Sequence, residues 1–311
     1  MSYKVFSKDI FIFLQGEKEL KKFIHKIPIL LYLILFLTIF TSCVSQDNVS
    51  EKNIEDKLRI VSLAPSNTEI LVGLSLGENI IGADEYSEKV EGINKEAQIF
   101  RIGDPNIEEL LKLDPDIVLL SGHVSYVAKF EELKNSGVEI INIETAESID
   151  EIYDSMLFIG EKTYKLDEAN KMVEDLKNKI EEISKDNSDQ SVTVYFEISQ
   201  APYIYSFGSN TFLNELLMLS GGTNIFQDLD GWISPNEESI INANPQIIFT
   251  NVDVTGNIDE IKSRVGWENI DAVKNNRVYY IDKDYSSRPS QFFINALYQM
   301  NDYIKQVLNE K

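Results

Sequence analysis

A chain of 311 residues has room for one large or two ordinary domains and ample material for a buried core. Its formal net charge is −22, from 51 Asp and Glu against 29 Lys and Arg, so the surface repels nucleic acid and anionic lipid and neither is expected as a partner. One cysteine and two histidines provide no internal disulfide and no cluster with metal-ligand spacing.

In chain order, Lys18, Lys21, Lys22 and Lys26 precede an apolar run at 27–40, which leads into Phe40, Thr41, Ser42 and Cys43. A basic stretch, a short apolar stretch and small residues before a cut site describe a secretory signal over 1–42, too short for a comfortable membrane span. The segment resembles a bacterial lipobox, although Phe40 stands where leucine is usual. The resemblance implies that Cys43 is lipidated and becomes the mature N-terminus. Residues 43–57 continue as a polar, charged tether. Such a leash holds a domain at the outer face of the cytoplasmic membrane through the lipid alone. Residues 1–42 carry six lysines against three acids, so the charge beyond them is −25.

The folded region opens with a strand at 59–63 (RIVSL), then a helix capped at Ser66 or Asn67 with apolar positions Ile70, Leu71 and Leu74. Gly77 stops that helix and 80–83 is the next strand. A helix around 126–135, stopped by Gly137, precedes a strand at 139–143. This alternation predicts a parallel, helix-covered sheet in a first lobe spanning 58–163. Over 166–185, apolar residues at 166, 169, 172, 173, 176, 180 and 183 step by three and four. They predict an amphipathic helix about 30 Å long within a connector at 164–186. A second lobe, 187–311, begins with strand 192–198. It contains a helix at 211–219 closed by Gly221 and Gly222, a strand at 277–281 and a closing helix at 298–308. The fold class is α/β: two lobes joined by one long helix, with a ligand cleft between them.

Two stretches 130 positions apart share one pattern: 107–120 is IEELLKLDPDIVLL and 237–250 is EESIINANPQIIFT. Glu108 matches Glu238, and Pro115 and Pro245 each lie seven residues after their glutamate. Each copy predicts a short helix, a proline stop and a strand buried on both faces. Leu110, Leu111 and Leu113 lie on the helix face opposite Glu108, as Ile240, Ile241 and Ala243 do opposite Glu238. A single such glutamate is an ordinary solvated position; the matched pair points to docking.

The motifs RIVSLAPSNTEIL (59–71), IGDPNIEELLKLDPDIVLL (102–120), FLNELLMLSGGTNIF (212–226), GWISPNEE (231–238), GWENIDAVKNNRVYYID (266–282) and SSRP (286–289), in this order, resemble the substrate-binding proteins of ABC importers for cobalamin, haem and ferric siderophores. The resemblance covers 58 to about 308. It implies two Rossmann-like lobes with modest closure, a monomer, and partners in an ABC permease and its ATPase. It further implies that Glu108 and Glu238 meet permease arginines, and that no cofactor is needed beyond the transported chelate. YFEISQAPYIYSFGSNTFLNE (195–215) leans towards cobalamin-binding members, with haem or a ferric siderophore as alternatives. Trp232 matches an aromatic facing the corrin and Tyr86 a ligand-facing tyrosine. Ile102 and Ser121 stand where cleft tryptophans are usual, and Gln291 lies near the place of a second arginine.

A planar chelate needs flat apolar contact and a few polar anchors. Trp232, placed in a loop, and Tyr86 supply the first, against the alternative of plain surface aromatics. Arg288 could hold an acid or amide group, or be an ordinary surface arginine. Asp282, at the end of its motif, joins the ligand-binding set. His123 follows a buried strand and could ligate iron or cobalt, although a polar loop histidine is commoner. Tyr203, Tyr205 and Phe207 alternate and would share one strand face, as core or as binding wall. Trp267 lies in a surface-like segment. No nucleophile–histidine motif and no phosphate-cradling loop is present, so binding is favoured over an enzyme or an adhesin on the same fold.

Overall fold

The computed structural model describes residues 58–122, 130–185 and 192–310. The signal segment, Cys43, the tether and His123 therefore lie outside the described residues. Lys57–Lys311 forms one compact unit.

The first lobe is a five-stranded parallel sheet in the order β3-β2-β1-β4-β5. Its strands are β1 (Ile60–Ser62), β2 (Ile80–Asp84), β3 (Gln98–Phe100), β4 (Ile117–Ser121) and β5 (Glu139–Ile143). β1 is buried throughout, and β4 in all but its last residue, as strands covered by helices on both faces must be. Helices α1 (Pro65–Gly73), α2 (Ile107–Lys112), α3 (Glu131–Asn135) and α4 (Ile149–Lys162) connect or cover them. Helix α1 departs from expectation at its start. Ala64 is the cap, with no side-chain bond, and Pro65 fills the first turn, where its missing N–H costs nothing. Asn67, expected to cap, instead donates Nδ2 to the Leu120 carbonyl at 3.1 Å, fastening α1 to the end of β4.

Helix α5 (Leu166–Lys185) is the 20-residue amphipathic connector, with Ala169, Val173, Leu176 and Ile183 buried. The second lobe is a four-stranded parallel sheet, order β11-β10-β6-β8. It contains β6 (Val192–Glu197), β8 (Gly222–Asn224), β10 (Ile247–Thr250) and β11 (Val278–Tyr280). A small antiparallel pair, β7 (Ser206–Phe207) with β9 (Trp232–Ile233), stands beside it. The helices are α6 (Phe212–Leu219), α7 (Glu237–Ala243), α8 (Asn257–Ser263), α9 (Asp271–Lys274), α10 (Lys283–Ser287) and α11 (Phe293–Asn309).

One apolar core runs through the molecule. It joins Ile60, Ile117 and Ile141 of the first sheet to Val173 and Leu176 of α5. It continues into Val194, Ile247, Leu297 and Ile304 of the second lobe. Two smaller clusters fill the outer face of each sheet: Val61, Leu110, Val118 and Leu133 in the first, and Tyr195, Ile240, Ile248 and Trp267 in the second.

The two repeat copies are the same structure. Asn106 and Asn236 cap α2 and α7, accepting from the N–H of Glu109 (3.3 Å) and Ser239 (2.8 Å). Both helices end in a left-handed residue before the proline, Asp114 at φ 47° and Asn244 at φ 46°. The residue after each proline accepts a backbone N–H beside the neighbouring strand: Asp116 from Arg59 at 2.8 Å, Gln246 from Thr193 at 3.2 Å. Leu110 and Ile240 are fully buried under their helices. Ala243, expected on the apolar face, is exposed, because α7 ends there and its last turn faces water.

Candidate functional site

Two features define the site: a cavity between the lobes and a matched pair of free carboxylates outside it. The cavity holds about 460 Å³. It opens where the strand order reverses around β1 and β4, at the C-terminal ends of the parallel strands. Leu63–Asn67 follow β1, Arg101 and Ile102 follow β3, Leu120 and Ser121 end β4, and Glu144 and Thr145 follow β5. The second lobe contributes Ser287, Arg288 and Pro289. The lining is mainly apolar, with a few charged groups at its edges, the composition of a small-molecule site.

Of the ligand candidates, Arg288 reaches this cavity; Tyr86, Trp232 and Asp282 do not line it. Arg288 is not a free anchor. Its Nη1 lies 2.6 Å from Glu69 Oε1 and its Nη2 2.8 Å from Asp284 Oδ1. Asp282 caps α10, its Oδ1 accepting from the N–H of Asp284 (2.8 Å) and Tyr285 (3.4 Å). Among the described residues, the lining cation that carries no hydrogen bond or ion pair is Arg101, a residue that sequence reasoning passed over. Its place one step before the quoted 102–120 motif was the available signal.

Tyr86 is 57% exposed in the turn after β2. Asp84 shapes that turn: its Oδ1 accepts from the Tyr86 N–H at 2.8 Å and its Oδ2 from the Ser87 hydroxyl. The Ser87 and Thr68 hydroxyls are 2.9 Å apart, and Thr68 also donates to Ser62, so the turn is fixed to the start of the fold. Burial pushes the Asp84 carboxyl above its ordinary value, against these hydrogen bonds.

Trp232 lies in β9 rather than in a loop, and is 46% exposed. Its ring stacks on Tyr205 (6.3 Å, 9°) and meets Phe207 edge-on (6.3 Å, 80°). Tyr205 and fully buried Phe207 thus meet the same ring, as expected of one face, while Tyr203, 83% exposed, does not join them. The chain turns at 201–203, and only Ser206 and Phe207 belong to β7. A flat Trp232–Tyr205 surface is what results.

The two glutamates expected to dock are placed alike. Each lobe places two consecutive acids in the first turn of its helix, where the helix dipole stabilises them. One acid of each pair is spoken for: Glu109 accepts from Gln98 Nε2 at 2.9 Å, and Glu237 from Trp267 Nε1 at 3.0 Å. Glu108 and Glu238 carry no hydrogen bond or ion pair among the described residues, and both are exposed. Trp267 itself corrects the surface expectation. It is fully buried, with the Arg264 guanidinium 4.6 Å above its ring. Arg264 in turn makes a two-pronged bond to the buried Glu197 at 2.6 and 2.8 Å. Burial pushes Glu197 up against the pull of Arg264, and the pairing holds Arg264 above its ordinary value despite its own burial. Neither the burial of this ring nor the buried charges beside it was legible in the sequence.

Two parallel α/β lobes and a bridging helix thus place a mainly apolar cavity at the C-terminal strand ends of the first lobe, walled on the other side by residues 287–289. Comparison with known proteins identifies the kind of protein. The periplasmic binding protein profile matches residues 60–285, and the chain belongs to that family, as the substrate-binding component of an ABC transporter. An uncharacterized ABC transporter substrate-binding lipoprotein of Bacillus subtilis is 31% identical, covering 84% of this chain and 85% of the relative. A vitamin B12-binding protein of Vibrio cholerae is 25% identical over 79% of this chain and 89% of its own. A crystal structure of a possible iron-binding, periplasmic solute-binding protein from Staphylococcus epidermidis aligns with TM-score 0.72 and 35% identity, covering 79% of this chain and 98% of that one. Family membership implies a permease and ATPase as partners and suggests an extracytoplasmic location. No helix among the described residues is long and apolar enough to cross a membrane.

Proposed function

We propose that this protein captures a planar metal chelate, a corrinoid such as cobalamin first, and delivers it to the permease through Glu108 and Glu238. The observation that carries the delivery half is the asymmetry within each acidic pair: matched caps present two glutamates, internal donors occupy one, and the other is left to a partner. A carboxylate already in the field of a helix N-terminus suits a charge-assisted bond from an arginine. The chelate half is supported by the flat Trp232–Tyr205 surface and by the vitamin B12-binding relative.

A second reading, a compact ferric chelate, is favoured by the cavity volume, which lies in the range of drug-sized ligands, and by the Staphylococcus epidermidis neighbour. Titration of the purified protein with cyanocobalamin, haemin and ferric siderophores, followed by calorimetry and visible absorption, separates the readings. Tight binding of cobalamin supports the first, and binding of iron chelates without cobalamin replaces it with the second. Anchoring through Cys43 completes the proposal. Cys43→Ser should abolish labelling by fatty acid and release the protein from the membrane fraction; continued labelling would defeat it.

A further inference from the structure

The carboxylate of Glu69 sits where a carboxylate is expensive. It lies on α1 of the first lobe, 4% exposed, one turn beyond the cavity-lining Ser66 and Asn67. Burial pushes its pKa up, and the groups that oppose this come from the other lobe, more than two hundred positions along the chain. Oε1 accepts from Arg288 Nη1 at 2.6 Å, Oε2 accepts from the Ser290 hydroxyl, and the Glu69 carbonyl accepts from Gln291 Nε2 at 2.6 Å. Both carboxylate oxygens and the backbone of one residue thus hold three residues of one loop.

That loop is itself rigid. Asp282 caps its first turn, Asp284 holds the other end of the Arg288 fork, and Asn251 Nδ2 donates to the hydroxyls of Ser286 (3.0 Å) and Ser287 (3.1 Å). A rigid strap tied across the cleft transmits position, and residues 287–289 of the strap are cavity wall. Moving Arg288 off Glu69 would move that wall. It would also leave a buried charge without its partner, a strongly unfavourable state. Besides the connector α5, the shared core and the Ile149 N–H bond to Glu215 at 2.8 Å, the Glu69 contacts tie the strap of the second lobe to the first at the cavity.

We propose that Glu69 is a positioning residue that sets the aperture of the cleft by clamping strap 284–291 of the second lobe onto α1 of the first. Its consequence for ligand capture rests on the proposed function, with the chelate held in the cavity that residues 287–289 wall. The clamp itself is testable without ligand, so the two readings fail separately. In full-length protein carrying Cys43→Ser, nitroxide labels at Lys112→Cys on α2 and Asn242→Cys on α7, both exposed, report the distance between lobes. The parent protein should give one narrow distribution. Glu69→Gln, which keeps shape but removes charge, should lengthen and broaden it, and Arg288→Gln should do the same.

Arg288→Lys, which keeps the charge but not the fork to both Glu69 and Asp284, should fall between the parent and Arg288→Gln. The Glu69→Gln/Arg288→Gln double variant should move it no further than either single, because both remove one interaction. A loss of local packing alone would give additive losses of stability at unchanged lobe distance. The two single variants guard against one failing to fold, as read by far-ultraviolet circular dichroism. Parent-like distributions in folded Glu69→Gln and Arg288→Gln overturn the clamp. With cyanocobalamin or haemin as probe, whichever binds, Glu69→Gln should release it roughly tenfold or more faster, the scale of a lost charge-assisted bond.

Discussion

At the scale of single residues, exposure separates the two tryptophans and predicts what each reports. Trp232 is half-exposed on a flat aromatic surface, whereas Trp267 is buried against Arg264. If a corrin lies on Trp232, its absorption near the indole emission should quench that residue most, and Trp267 should report less. Trp232→Ala removes stacked, desolvated area, costing on the order of 2–3 kcal/mol or roughly a hundredfold in affinity. A folded variant that binds as tightly as the parent removes Trp232 from the site. Asp84 makes a prediction of the opposite kind, about stability rather than binding. Its folded pKa is raised from 3.8 by burial, so the native state holds this proton to higher pH than the unfolded chain. The stability it contributes is fully present below 3.8 and is lost as pH rises through the raised folded value. Asp84→Asn mimics the protonated form and keeps an acceptor for the Tyr86 N–H. Its stability relative to the parent should therefore improve from pH 3.5 to 7, on the order of that titration window, in urea denaturation. A constant difference across that range would show that Asp84 does not titrate as described.

At the scale of elements, the repeat was legible because it is written in residues whose chemistry has few alternatives. A proline fixes where a helix stops, and a run of three or four successive apolar residues after it admits little but a buried strand. The amphipathic connector was legible for the same reason: periodicity over 20 residues leaves one solution, Leu166–Lys185. What escaped was decided by tertiary contact. β3 and β8 are three-residue strands made by pairing with β2 and β6, and no local pattern announces them. Trp267 looked like surface because charged and amide residues surround it in sequence, and the fold turns one of those neighbours, Arg264, inward to a glutamate 67 positions away. Arg288 was legible as a site residue, but the carboxylate that occupies it lies in another lobe. The docking helices carry the prediction at this scale. Glu108→Ala and Glu238→Ala should each slow uptake while leaving ligand affinity of the isolated protein nearly unchanged, because both side chains lie outside the cavity. Glu109→Ala, whose carboxylate is already bonded to Gln98, should have the smaller effect on uptake. Normal uptake in a well-expressed Glu108→Ala/Glu238→Ala double variant would defeat the docking assignment.

At the scale of the whole molecule, the lobes are distinct in topology and continuous in energetics. Each has its own parallel sheet and its own outer cluster, yet the main core passes from the first sheet through α5 into the second without a break. α5 contributes buried Val173 and Leu176 to that shared core, and α11 packs Leu297 and Ile304 into it from the other side of the sequence. Separating the lobes would expose these apolar faces to water at about 25 cal/mol for each Å². Large hinge motion is correspondingly unfavourable, and small closure about a fixed cleft is what remains. The same continuity predicts how the molecule unfolds. Independent lobes would melt separately; lobes that share one core melt together. Urea unfolding of the full-length protein should give coincident transitions by far-ultraviolet circular dichroism, which reads both sheets, and by near-ultraviolet signals from Trp232 and Trp267, which read the second lobe alone. Two resolved transitions, or a tryptophan signal lost while half the secondary structure persists, would show that the core does not bind the lobes into one cooperative unit. The clamp at Glu69 sharpens this expectation. Glu69→Gln weakens a contact between lobes but leaves the shared core intact, so it should lower the single midpoint without splitting it.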